Sequence, residues 1–172
     1  LQFGAEIFAE VQTGVGNDNL PTDLIFKTNG GSTSTAERLR IDSAGRLLLG
    51  TTTEGSAGAD EFTINTSSGH GGMTIRNDSS SNGNLWFSDG TSGAAEYAGY
   101  VQYAHGDDQL VFGAGAGERL RIGSAGQLGI AGANYGTSGQ VIKSAGSGSA
   151  IAWGDATVGV SSGGSSIGNA AT

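Results

Sequence analysis

Apolar and polar residues alternate along several short stretches of this chain, at the period of strands. The clearest stretch is ERLRIDSAGRLLLG, from Glu37 to Gly50. Glu37, Leu39 and Ile41 fall on one side of an extended segment, and Arg38, Arg40 and Asp42 on the other. A helix capped by Thr35 is the competing reading, but Ser43-Ala44-Gly45 would stop it within two turns. Asp42 to Gly45 suits a turn, with Asp at its start and Gly at its end. RLLLG then returns as a second short strand, so the phrase reads as a β-hairpin with a Ser-Ala-Gly tip. No segment holds a helical period over ten or more residues.

The phrase is written twice. ERLRIGSAGQLGI runs from Glu118 to Ile130, 81 residues further on. Leu39, Ile41, Leu47 and Leu49 recur as Leu120, Ile122, Leu128 and Ile130, while Leu48 becomes Gly129. Apolar positions that persist around a drifting one indicate a face selected for burial. The smaller residue at Gly129 leaves the second hairpin tighter or more exposed than the first.

The repeat extends upstream. DLIFKT (Asp23 to Thr28) pairs with QLVFGA (Gln109 to Ala114), Val11-Gln12 with Val101-Gln102, and LQF at Leu1 with LWF at Leu85. The chain is therefore divided into a first unit (1–54), a β spacer (55–84), a second unit (85–131) and a Gly/Ser-rich C-terminal segment (132–172). The spacer carries two expected strands, EFTIN at Glu61 and MTIRN at Met73. The C-terminal segment holds three apolar islands, GQVIKS, AIAWG and ATVGV.

Composition changes the picture. Gly, Ser and Pro make up 54 of 172 residues, and Leu, Ile, Val and Phe only 34. With a net charge of −8, such a chain gains little from burial by itself, against roughly 1–2 kcal/mol of backbone entropy per residue. Partner chains that add buried area resolve the conflict, so an intertwined oligomer is expected. The chain has no cysteine, which removes disulfides and thiolate metal sites. No apolar run reaches the length of a membrane helix. The acidic balance argues against nucleic acid, since only Lys27, Lys143 and six arginines could meet phosphates. The opening residue is Leu1 rather than Met, so the chain is read as a segment of a longer polypeptide.

Motifs for catalysis are weak. VFGAGAGERL (Val111 to Leu120) follows a strand, but a dinucleotide fingerprint needs glycine where Glu118 stands. It reads as a turn. His70 and His105 have no second histidine at ligand spacing, and GNDN (from Gly16) and GDDQ (from Gly106) fit no calcium loop. No catalytic residue, metal site or cofactor is assigned. Trp86, Tyr97, Tyr100 and Tyr103 cluster in the second unit. Such rings stack on sugars or anchor interfaces, and they are the candidate receptor-binding residues. The candidate inter-chain core is Leu39, Ile41, Leu47, Leu49, Leu120, Ile122, Leu128 and Ile130. Glu37, Arg38, Arg40, Glu118, Arg119 and Arg121 are candidates for ion pairs between chains, since Arg forks well onto carboxylates.

ERLRIDSAGRLLLGTTT (Glu37 to Thr53), DLIFKTNGGSTSTAERLRI and YGTSGQVIKSAGSGSAIAW (Tyr135 to Trp153) together resemble recurring elements of bacteriophage tail fibres and related virion proteins, especially those of phages of marine cyanobacteria. The resemblance covers about two thirds of the chain and names a class. It implies an all-β, elongated, intertwined homotrimeric fibre of β-prism or triple-β-helix type. It also implies a structural and adhesive role in the virion, with other tail proteins and a host surface glycan or protein as partners. A tailspike-like polysaccharide depolymerase and a bacterial surface adhesin are the alternatives.

Overall fold

The computed structural model describes residues 4–12, 16, 19–66 and 68–156. The regular structure among them is all β, apart from one short 3₁₀ turn. The chain divides into two compact units, Leu1–Thr74 and Ile75–Thr172. The first holds a five-stranded sheet of β1 (Ala5–Val11), β2 (Thr22–Thr28), β3 (Ala36–Ile41), β4 (Leu47–Leu49) and β5 (Phe62–Ile64), in that order. The second holds β6 (Asn82–Phe87), β7 (Gly99–Ala104), β8 (Gln109–Ala114), β9 (Gly117–Ile122) and β10 (Leu128–Ile130), also in sequential order. A separate hairpin pairs β11 (Gln140–Lys143) with β12 (Ala152–Asp155).

The repeat is a four-stranded meander, β1–β4 in one unit and β7–β10 in the other. Each sheet adds its fifth strand at the opposite edge. β5 runs parallel to β4, whereas β6 runs antiparallel to β7. The stretch read as a spacer thus gives β5 to the first sheet and its last residues to β6. Its second expected strand, at Met73, does not form, and residues 71–80 are exposed coil or turn. Among the described residues no strand pairs with it, so alternation alone did not make it a strand.

Register corrects one sequence alignment. Ile7 lies opposite Phe26, and Val101 opposite Phe112. Ile7-Phe8, rather than Val11-Gln12, is therefore the counterpart of Val101-Gln102. LQF, residues 1–3, lies outside the described residues, as does most of the ATVGV island.

The hairpin turns match expectation. Gly45 N–H donates to the Asp42 carbonyl at 2.9 Å, and Gly126 N–H to the Gly123 carbonyl at 2.8 Å. In the first copy Asp42 Oδ1 also accepts from Ala44 N–H. In the second, position 123 is glycine, and Gln127 Oε1 accepts from Ala125 N–H instead. The acceptor moves from the start of the turn to its end, and the turn survives.

The two faces of each sheet differ sharply. On the first, Ile7–Phe26–Leu39–Leu49–Ile64 and Ala9–Leu24–Ile41–Leu47–Phe62 form two apolar rows across all five strands. On the second, the rows are Leu85–Val101–Phe112–Leu120–Ile130 and Gly83–Tyr103–Leu110–Ile122–Leu128. Within one chain the face of the first sheet is largely open, with Ile7 68% exposed and Phe62 50%. That of the second is mostly half-buried, with Ile75 against Gly83 and Ile130 buried. The opposite face is the covered one. Leu48 and Ile25 are 1% exposed, and Val111 is also buried.

Chain connectivity supplies the reason. A parallel neighbour for β4 requires the connection 50–61 to cross one face of the sheet. Gly55 N–H donates to Thr63 Oγ1 at 3.0 Å, and Arg46 reaches Asp60 at 3.1 Å and Glu54 at 3.5 Å. Thr63 and Leu48 share that face, so the crossover closes over Leu48. In the second unit Gly129 is buried rather than exposed. A Cβ there would meet the Gly132 carbonyl at 2.5 Å and the Arg121 side chain at 2.6 Å. The Arg121 stem and the returning backbone fill the place of the Leu48 side chain.

Leu48→Ala is expected to destabilise the chain by about 2–4 kcal/mol, because it opens a cavity under the crossover. Leu49→Ala, on the open face, should change the unfolding free energy of a dissociated chain by less than about 1 kcal/mol. Denaturant titration at low protein concentration checks the contrast.

Candidate functional site

The sheet register decides which candidate aromatics meet. Trp86 and Tyr100 are directly opposite on β6 and β7, on the face away from the apolar rows. Tyr97 closes the group from the 3₁₀ turn Gly93–Tyr97, with its ring centroid 5.9 Å from that of Trp86. These three rings, with Gln102 and Ala116, line an open hollow of about 240 Å³. Tyr103 does not join them. It faces the apolar side, opposite Gly83 and Leu110, with its ring edge-on to His105. Alternation puts residues 100 and 103 on opposite faces of one strand.

The shelf is held from below and from the sides. Tyr100 lies over Gly113, its neighbour on β8, and a Cβ at Gly113 would fall inside the Tyr100 ring. An aromatic ring covering a cross-strand glycine is a known way to stabilise a sheet. The Ala95 carbonyl in the 3₁₀ turn accepts from Asp89 N–H and from Ser88 Oγ, both at 3.0 Å. Ala116, at the tip of the β8–β9 hairpin, has φ 55° and donates its N–H to the Ala98 carbonyl at 3.0 Å. Gln102 Nε2 donates to Asn84 Oδ1 at 2.7 Å on the same face. Gly113 is the missed residue; its pairing with a bulky aromatic was a signal open to sequence reasoning once register was known.

The candidate ion pairs take a different arrangement from the expected one. Arg40 forks onto Glu37 through Nε and Nη2, both at 2.8 Å, and its Nη1 bonds to Asp23. Arg121 forks onto Glu118, and its Nη1 donates to Gln109 at 2.7 Å. These carboxylates belong to the same chain. The Glu37 hydrogen bond is the largest influence on Arg40 and holds its pKa above the ordinary value, against an opposing effect of burial. Glu37 was assigned to the face of Leu39 by alternation; it lies on the face of Arg40. The reason is a β-bulge. Phe26 pairs with Leu39 but Lys27 pairs with Glu37, so Arg38 is an extra residue. The same shift falls at Arg119, between Leu120 and Glu118. The carbonyls of Arg38 and Arg119 accept from Gly50 N–H and Ala131 N–H, at 2.9 and 3.1 Å.

The eight candidate core residues share the apolar faces of the two sheets. Ile130 is already buried within the chain, while Ile41, Leu49 and Leu128 are exposed. Among the described residues no three His, Cys, Asp or Glu side chains come together as a metal ligand set. No known family, curated protein or solved structure matches the chain.

Gly113→Val is expected to displace the Tyr100 ring at a cost of about 1–3 kcal/mol, the usual range for overpacking. Loss of the shielded glycine's ring-shifted NMR resonances, together with a lower Tm, checks it. A second expectation concerns acid. Burial, the largest single effect, pushes Asp42 up, but hydrogen bonds from Arg46 and Ala44 outweigh it and leave its pKa below the ordinary value. The contribution of Asp42 to stability is therefore complete above the unfolded value of about 3.9. It is lost as pH falls through the lower folded value. Carboxyl NMR titration should show this, and Arg46→Gln should move the Asp42 midpoint upward.

Proposed function

We propose that this chain is a segment of a homotrimeric fibre, of the bacteriophage tail-fibre type, that helps to attach a virion to its host. The observation that carries the reading is the pair of continuous apolar sheet faces that a single chain leaves incompletely covered. An apolar sheet face of this extent ordinarily marks an interaction surface. Three copies around an axis would cover each other's faces, and assembly would supply the buried area that a Gly/Ser-rich chain lacks. Candidate core residues Leu39 and Leu120 then act within the trimer, while the polar faces and their loops stay outward. The phage assignment rests on the resemblance of the repeated hairpin phrase. Other tail proteins and a host surface molecule are the partners this role requires.

Light scattering coupled to gel filtration tests the assembly. Three times the chain mass is expected, and a well-folded monomer would sink the trimer. Leu39→Asp or Leu120→Asp should cost several kcal/mol by placing an unpaired charge in the inter-chain core, seen as a smaller mass and a lower Tm. Unchanged mass and melting would show that these faces are not the interface.

A further inference from the structure

We propose that the shelf of Trp86, Tyr97 and Tyr100 binds a neutral sugar ring. The proposal deepens the attachment reading and rests on it only for the source of the sugar, a host surface glycan.

The chain contains its own control. In the first sheet the positions that correspond to Tyr100, Gly113 and Glu118 are Glu6, Lys27 and Glu37. The same meander and the same bulge are thus built there without an aromatic at the place of Tyr100; Phe8, at the place of Gln102, lies under Lys27 instead. Trp86 has no counterpart on β1, which is an edge strand of its sheet. The rings also lie on the face opposite the apolar rows, so they are not part of the surface offered to other copies. The cover over Gly113 accounts for Tyr100, but fold and assembly leave Trp86 unexplained, and it remains 52% exposed. A large aromatic held in the open by a rigid support is the arrangement of a preformed binding platform.

The chemistry of the hollow selects the occupant. Its lining is three aromatic rings, one amide and one methyl group, and none of these side chains carries a charge. Aromatic faces have a negative quadrupole, which suits the C–H face of a pyranose. Gln102 uses its amide N–H on Asn84, and its Oε1 accepts no hydrogen bond among the described residues. It is placed to take one from a sugar hydroxyl. Arg121 is held by Glu118 and Gln109, and Arg119, whose Nε donates to the Ala114 carbonyl beside the hairpin tip, does not line the hollow, so the lining itself offers no cation to a sialate or sulfate. A volume of about 240 Å³ is below the usual range for larger ligands and matches a single ring. A flat proline-rich peptide is the competing occupant for aromatic grooves, but it would require a groove longer than this hollow.

The test is an array carrying hexose- and N-acetylhexosamine-terminated neutral glycans, sialylated and sulfated glycans, and proline-rich peptides, probed with the intact chain. Retention on neutral glycans is expected. Trp86→Ala should weaken it by about tenfold or more, as for an aromatic anchor, with solution mass and Tm unchanged. Tyr103→Ala, on the other face, should leave binding intact. Absence of neutral-glycan binding by a folded, trimeric chain would overturn the shelf and leave the fibre reading standing. Preference for acidic glycans or for the peptides would also overturn it. A folded monomer that binds neutral glycans through Trp86 would support the shelf while removing the trimer.

Discussion

Each sheet is organised around one guanidinium forked onto a carboxylate three residues earlier in the same strand. In a regular strand, residues three apart point to opposite faces, so this fork cannot form. The bulge at Arg38, and again at Arg119, inserts the extra residue that brings Glu37 beside Arg40 and Glu118 beside Arg121. A bidentate, partly buried Arg–Glu pair is strong and directional. Once it is made, the rest follows. The charged groups are gathered on one face, the neighbouring carbonyl of the bulge residue is turned to the strand end, and Leu39 and Leu120 are left on an uninterrupted apolar face. The phrase ERLR is thus a compact instruction for a bulged strand, which accounts for its appearing twice.

The separation of faces sets up two different surfaces. The charged face covers Ile25, Leu48 and Val111 within the chain, by crossover and side-chain stems. The apolar face is only partly covered by its own chain: it is largely open on the first sheet, while on the second Ile75 lies against Gly83 and Ile130 is buried. The second sheet modifies the shared scaffold on its polar side, where β6 brings Trp86 against Tyr100 and Gly113 makes room for the ring. A repeated unit can vary in this way because the side chains of one face do not decide the packing of the other. The face proposed for assembly and the shelf proposed for recognition thus lie on opposite sides of the same sheet.

Much of the fold was legible. The hairpins at Asp42 and Gly123, the equivalence of β2 and β8 in the two copies and the all-β class follow from alternation, turn residues and the repeat. The misreadings share one cause. Glu37 and Met73 were placed by local period and Val11 by its likeness to Val101, and each was decided by pairing: Glu37 by the bulge, Val11 by a four-residue difference in register, and Met73 by the lack of a neighbouring strand among the described residues. The opposite charges three residues apart in ERLR were the overlooked sign of the bulge. Tyr103 was grouped with Tyr100 by proximity in sequence, although strand geometry separates them.

By itself the sequence determined the strands, their turns and the existence of two copies, because these depend on residues near one another in the chain. It also determined that Trp86, Tyr97 and Tyr100 were present to be used. Only the tertiary structure decided which face of each sheet is covered, where each fifth strand joins, and which aromatics share a surface. Those outcomes depend on register and on the path of connections such as 50–61, and both are set by contacts between residues far apart in the chain.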